Sequence, residues 1–83
     1  MTLMWKEGVI GIPDGSGGYI KCHYWAKVYD TPSPEYGIDG GRISKLTIRI
    51  DDVTTANYDR GWDKKPTNDA TWKALQVLLH EYS

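Results

Sequence analysis

Apolar and polar residues keep two rhythms along this chain: a period of two through most of its length and a period near 3.6 at its end. Between Arg42 and Ile50, the residues Ser44, Leu46, Ile48 and Ile50 alternate with Lys45, Thr47 and Arg49, the pattern of a strand with one buried face. Tyr19 to Asp30 predicts a longer strand, rich in aromatic and β-branched residues. Trp5 to Ile12 reads as a first strand, broken by Gly8 and Gly11 and ended by Pro13, and Asp14-Gly15-Ser16-Gly17-Gly18 is the turn after it. Asp51-Asp52 make a tight turn, from which Val53 to Tyr58 returns as a fourth strand. Its inward face stays open, because the turn type sets the register.

The rhythm changes after Pro66. Thr67 is a good N-cap, and Asp69 lies in the first turn, where the helix dipole favours an acid. Leu75, Leu78, Leu79 and Tyr82 repeat at helical spacing, with Trp72 and Ala74 extending the stripe and Lys73, Gln76 and His80 opposite. The prediction is an α+β fold in a single domain over 1–83. Its strands, at about 5–12, 19–30, 42–50 and 53–58, form a four-stranded, mainly antiparallel sheet in the element order β-β-β-β-α. One helix over about 68–82 packs on the face bearing Ile20, Cys22, Ala26, Val28, Leu46, Ile48 and Ile50.

A single helix leaves the other face over. That face would carry Tyr19, Lys21, His23, Trp25, Lys27 and Tyr29 from the second strand and Lys45, Thr47 and Arg49 from the third. Rings interleaved with cations suit a platform that stacks planar groups and pairs with phosphate. An ordinary solvated strand gives the same pattern, and so does a face covered by the first strand, a loop or a second subunit. Thr31 to Gly41, with Pro32, Pro34, Gly37, Gly40 and Gly41, is a loop long enough either to carry function or to serve as a plain crossover.

Composition narrows the picture. Four Trp and six Tyr, with no Phe, supply most of the large apolar area. An 83-residue chain builds only a thin core, which makes a homo-oligomer an expectation. The formal charge of −1 argues against a general DNA binder, which needs a basic excess, and against an acidic DNA mimic. Cys22 is the only cysteine, so no internal disulfide forms and a reducing, cytoplasmic setting is expected. Neither a signal peptide nor a membrane-length apolar run is present, and the chain reads as a complete small gene product, from Met1 to the end of a helix.

No motif points to catalysis. His23 and His80 lack further ligands at metal spacing, and Cys22 and His23, as strand neighbours, point to opposite faces. Asp51-Asp52 and Asp59/Asp63 are explained by turns and caps, and Gly15 to Gly18 lacks the Lys-Ser/Thr of a phosphate loop. No cofactor is expected. Tyr58-Asp59-Arg60-Gly61-Trp62-Asp63 reads as a strand end turning at Gly61, with Trp62 plugging the core or, with Arg60, holding an anionic planar ligand.

Three strings carry a resemblance: Tyr24-Trp25-Ala26-Lys27-Val28-Tyr29-Asp30, the run from Tyr36 to Leu46, and Tyr58 to Asp63. From about Tyr24 onward the chain resembles a family of short uncharacterised proteins carried by phages and mobile elements of Gram-positive bacteria. The amino-terminal hairpin is less recognisable. The resemblance implies an accessory protein that counters host defence by binding. The first expectation is sequestration of a nucleotide-like signal, with Trp25, Tyr29 or Trp62 stacking on a base and Lys27, Lys45, Arg49 or Arg60 meeting its anionic groups. One alternative is inhibition of a host defence protein, such as a CRISPR effector nuclease, and another is a small sheet-type DNA-binding module.

Overall fold

The computed structural model describes residues 3–82. Five strands, β1 (Leu3–Pro13), β2 (Tyr19–Tyr29), β3 (Ile43–Ile50), β4 (Val53–Asp59) and β5 (Trp62–Lys64), precede one helix, α1 (Asp69–Glu81). Each strand pairs antiparallel with its chain neighbours, giving one sheet in the order β1-β2-β3-β4-β5. The fold is α+β with one carboxy-terminal helix, as expected. The expected four-stranded sheet has a fifth strand, β5, whose three residues are too few for alternation to reveal.

The β2 phase follows the alternation. Cys22, Ala26 and Val28 are buried towards the helix with Leu46 and Ile48, and Ala70, Ala74, Leu75 and Leu78 of α1 close over them. Two bulges alter the expected detail. The register shifts at Lys27/Val28, so Ile43 faces the core opposite Val28, and Ser44 is buried in the irregularity with its hydroxyl 3.4 Å from the Lys27 carbonyl. A second shift at Ile48/Arg49 settles β4: Ala56 and Tyr58 point inward, and Thr55 is buried as well. Thr55 donates to the Ile48 carbonyl, and its hydroxyl lies 2.7 Å from that of Thr71 on α1, so the polar pair joins sheet to helix without leaving a bare hydroxyl.

Three further expectations are corrected. Gly8 and Gly11 do not break β1, which pairs with β2 over its whole length. Gly8 lies opposite Tyr24, and a Cβ there would sit 2.9 Å from the tyrosine hydroxyl, so the ring occupies the space the glycine leaves. The N-cap is Asn68 rather than Thr67: Asn68 Oδ1 accepts the Thr71 N–H at 2.8 Å, while the Thr67 N–H donates to the Thr55 carbonyl. Trp72, placed in the core stripe by its spacing, is 53% exposed on the flank of the helix.

The loop after β2 is folded tightly on itself. Ser33 and Gly41 close it by a 2.9 Å main-chain hydrogen bond, Gly37 donates to Ser33, and a turn of 3-10 helix at Ile38–Gly40 inserts Ile38 into the core. Gly37 is buried, and a Cβ there would overlap the Gly41 carbonyl oxygen. At the β3–β4 turn, Asp51 and Asp52 have φ of 50° and 64°, a left-handed pair that hairpins usually fill with Asn-Gly. No helix is long and apolar enough to cross a membrane among the described residues.

These backbone features predict opposite effects in thermal melts. Asp52→Gly removes the Cβ from a left-handed position and is expected to stabilise by about 0.5–1 kcal/mol, raising Tm by several degrees. Gly37→Ala is expected to cost roughly 1–3 kcal/mol through main-chain overlap. An unchanged melt for both variants would contradict the turn and loop geometry.

Candidate functional site

The seven residues singled out from sequence do not form one site. Trp25, Lys27, Tyr29, Lys45 and Arg49 share the sheet face turned away from α1, because β2 and β3 keep their alternation. Arg60 sits at the β4–β5 turn in a left-handed conformation, φ 58°, with its guanidinium carbon 5.6 Å from the centre of the Tyr36 ring. The left-handed position is therefore Arg60, not the following Gly61. Trp62 is on the helix side, edge-on to Tyr58 with ring centres 5.1 Å apart.

The uncovered face is less basic than β2 and β3 alone suggest. β1 brings Glu7 to it, 3.0 Å from His23, whose ring stacks on Trp25 at 4.1 Å. Lys45 lies 3.6 Å from Asp59 of β4, and the Lys27 ammonium stands 5.7 Å above Trp5. Thr47, Asn57 and Asp63 continue this polar pattern through hydrogen bonds of 2.9 and 3.3 Å. Arg49 donates to the Asp52 carbonyl. Shallow, open hollows flank Trp25 and Arg49, one reaching Thr54 and the other Lys21 and Asp51. Acids interleaved with cations make this a mixed surface, without a convergent anion site.

A more enclosed hollow lies on the helix side, at the seam between α1 and the β5 end of the sheet. It measures about 170 Å³ and has walls from Ile38, Trp62, Trp72, Leu75 and Leu79. Asp39, Lys65 and Gln76 supply its polar groups. Among the described residues neither Asp39 nor Lys65 forms an ion pair, so a carboxylate, an ammonium and an amide are all available at the rim. Asp39 is left-handed, with φ 52° and ψ 31°, a strained arrangement for a residue with a side chain.

Tyr58 ties this seam to the loop. Its hydroxyl donates to the Tyr36 carbonyl at 3.0 Å, and burial, reinforced by the nearby Asp39 charge, raises its pKa above the ordinary tyrosine value. Of the cleft residues, only Trp62 is a candidate binder by sequence, and the helical spacing assigns Trp72 to the core stripe. One signal could have separated it: it falls outside the face shared by Thr71, Ala74, Leu75 and Leu78. Asp39, Lys65 and Gln76 carry no local pattern of their own.

Among the described residues no group of three or more His, Cys, Asp or Glu gathers where a metal could be held. Fold and cleft together define a small α+β domain, an antiparallel meander closed on one side by a single helix. The chain belongs to the family described as a domain of unknown function, DUF7678, which matches residues 4–83. That span includes the amino-terminal hairpin, beyond the strings that begin at Tyr24. No curated protein and no solved structure matches the chain.

Tyr58→Phe deletes one hydrogen bond at the seam and is expected to cost about 1 kcal/mol near neutral pH. Because folding raises the Tyr58 pKa, its contribution is full below the unfolded value of about 10.0 and is lost as pH rises through the folded value. Denaturant titrations should show a shallower alkaline loss of stability in Tyr58→Phe than in the parent. Parallel alkaline limbs would refute the assignment.

Proposed function

We propose that this is a non-enzymatic binding protein that takes a planar, nucleotide-like ligand in the cleft between Trp62 and Trp72. The observation that carries the reading is the meeting of two indoles with Asp39, Lys65 and Gln76 in one partly enclosed hollow, with no ion pair at Asp39 or Lys65 among the described residues. Apolar walls with a few convergent polar groups are the usual form of a small-molecule site. A heteroaromatic ring gains stacking on either indole, at about 1–3 kcal/mol per base. The Gln76 amide and Asp39 carboxylate can pair with a ring edge, and the Lys65 ammonium suits a phosphate or carboxylate. Lys65 thus takes the part first expected of Lys27, Lys45, Arg49 or Arg60; of these, Lys45 already meets Asp59, and Glu7 and Asp63 add further acid to the uncovered face.

The proposed setting is a phage or mobile element, with binding that sequesters a host defence signal in the cytoplasm; the resemblance described above supports it by association only. A second reading, docking on a host defence protein, is favoured by Trp5, 64% exposed beside Lys27 on the uncovered face, since aromatic residues flanked by both charge signs suit protein interfaces. The same interleaved acids weigh against duplex DNA on that face.

Tryptophan fluorescence titrated with nucleoside monophosphates, cyclic dinucleotides and adenosine diphosphate ribose tests the cleft. Saturable quenching is expected for at least one of them. Trp62→Ala and Trp72→Ala should each weaken it by about 5- to 150-fold, and Trp25→Ala should leave it unchanged. A flat response across the panel, or loss only with Trp25→Ala, would reject the cleft.

A further inference from the structure

The two edges of the sheet are built differently. β5 is three residues long, a common way of keeping a free edge from recruiting another strand. β1, the opposite edge, has eleven residues, pairs with β2 without a bulge, and contains proline only at its last position. The Asp14 N–H donates to the Gly18 carbonyl at 3.1 Å just beyond the β1–β2 ladder. Counting back through the alternation of an antiparallel ladder, even-numbered residues of β1 turn their main-chain groups towards β2. Trp5, Glu7, Val9 and Gly11 turn theirs outward. The side chains beside this open edge include exposed Met4, Trp5 and Val9.

We propose that β1 pairs with β1 of a second copy of this chain about a two-fold axis perpendicular to the sheet, making one ten-stranded sheet from two. The strand's own charge pattern selects that occupant. Lys6 and Glu7 are the only charged residues of β1. Self-pairing centred on either would set like charges opposite each other, which destabilises a sheet. The register in which two Leu3–Pro13 strands overlap completely is centred on Gly8 instead. Glu7 of one copy then faces Val9 of the other, and Lys6 faces Ile10. Trp5 falls opposite Gly11, which has no side chain to obstruct the indole and whose Cβ position lies 3.5 Å from the Tyr19 ring, a further aromatic neighbour. The outward N–H and C=O groups of Trp5, Glu7, Val9 and Gly11 all find partners in this register, and the Glu7–His23 contact persists. The occupant is thus a second copy rather than a strand from another protein.

Sedimentation of the full chain, without ligand, at concentrations up to about 100 µM should give a mass near twice 9.4 kDa. Val9 is 57% exposed, so changing its charge tests the register without touching the core. Val9→Glu sets a second carboxylate opposite Glu7 twice per dimer, and Val9→Lys sets an ammonium there. The Lys variant is expected to dimerise at least about tenfold more tightly than the Glu variant. Val9→Pro, which removes an outward N–H while sparing the β1–β2 ladder, should be a folded monomer by circular dichroism. A monomeric parent chain, equal dissociation constants for the Glu and Lys variants, or a persistent Val9→Pro dimer would each overturn the proposal.

Discussion

A helix of thirteen residues is about 20 Å long, while an eleven-residue strand reaches about 36 Å. That mismatch governs the molecule. The helix shields one face of the sheet and only part of its length, so the aliphatic residues of β2 and β3 are sorted to that side. Cys22, Ala26, Val28, Leu46 and Ile48 are almost fully buried, whereas the hairpin tip carries Tyr19 at 69% exposure. The helix also runs nearest β1 and β2, so the β4–β5 end of the same face needs another cover. Ile38, delivered by the folded loop, and Trp62, delivered by β5, provide it. Where those two meet the flank of the helix, packing is incomplete, and the gap is the cleft.

One left-handed residue with a side chain, Asp39, stands in the wall of that cleft. Asp51 and Asp52 are left-handed because a two-residue hairpin requires it. Asp39 is left-handed together with Gly40, φ 71°, and Arg60 is left-handed where the neighbouring Gly61 is not. The two segments meet at Tyr36: Tyr58 reaches from β4 to its carbonyl, and Arg60 lies over its ring. Of the two residues, Asp39 lines the cleft, and a side chain held in a sparsely populated conformation at such a place is an observation from which a functional reading starts. The opposite face has left-handed residues as well, Asp51 and Asp52 beside Arg49, but there the two-residue hairpin accounts for them.

Much of the sheet was legible because alternation needs no tertiary information. The phases of Ile20 to Val28 and of Leu46 to Ile50 follow from period two, and Ala74, Leu75 and Leu78 from the helical period. What could not be read depends on partners distant in sequence. The continuity of β1 through Gly8 rests on Tyr24 across the ladder, and the inward turn of Ile43 rests on a bulge beside Lys27. β5 is too short to show a period at all. The same limit hid half of the uncovered face: Glu7, Asp59 and Asp63 belong to β1, β4 and β5, whose registers were open or unseen, so the platform looked more basic than it is. The cleft was least legible, since Ile38, Trp62 and Trp72 come from three separate segments and share no local pattern.

The two proposed surfaces lie at opposite edges of the sheet, and this bears on how binding would be organised. A two-fold axis perpendicular to the sheet places both helices on the same side of a ten-stranded assembly. The β5 seams then stand at its far ends, separated by about nine strand spacings of about 4.8 Å. Coupling two sites over such a distance requires an element with two discrete arrangements that both sites bias. The chain between them is a meander of consecutively paired strands whose buried hydroxyls, Thr55 and Thr71, are satisfied in one arrangement. No such switching element is evident among the described residues. The assembly is therefore best understood as two independent clefts on a shared scaffold, with pairing at β1 serving to bury an exposed edge and leaving the chemistry at the seam untouched.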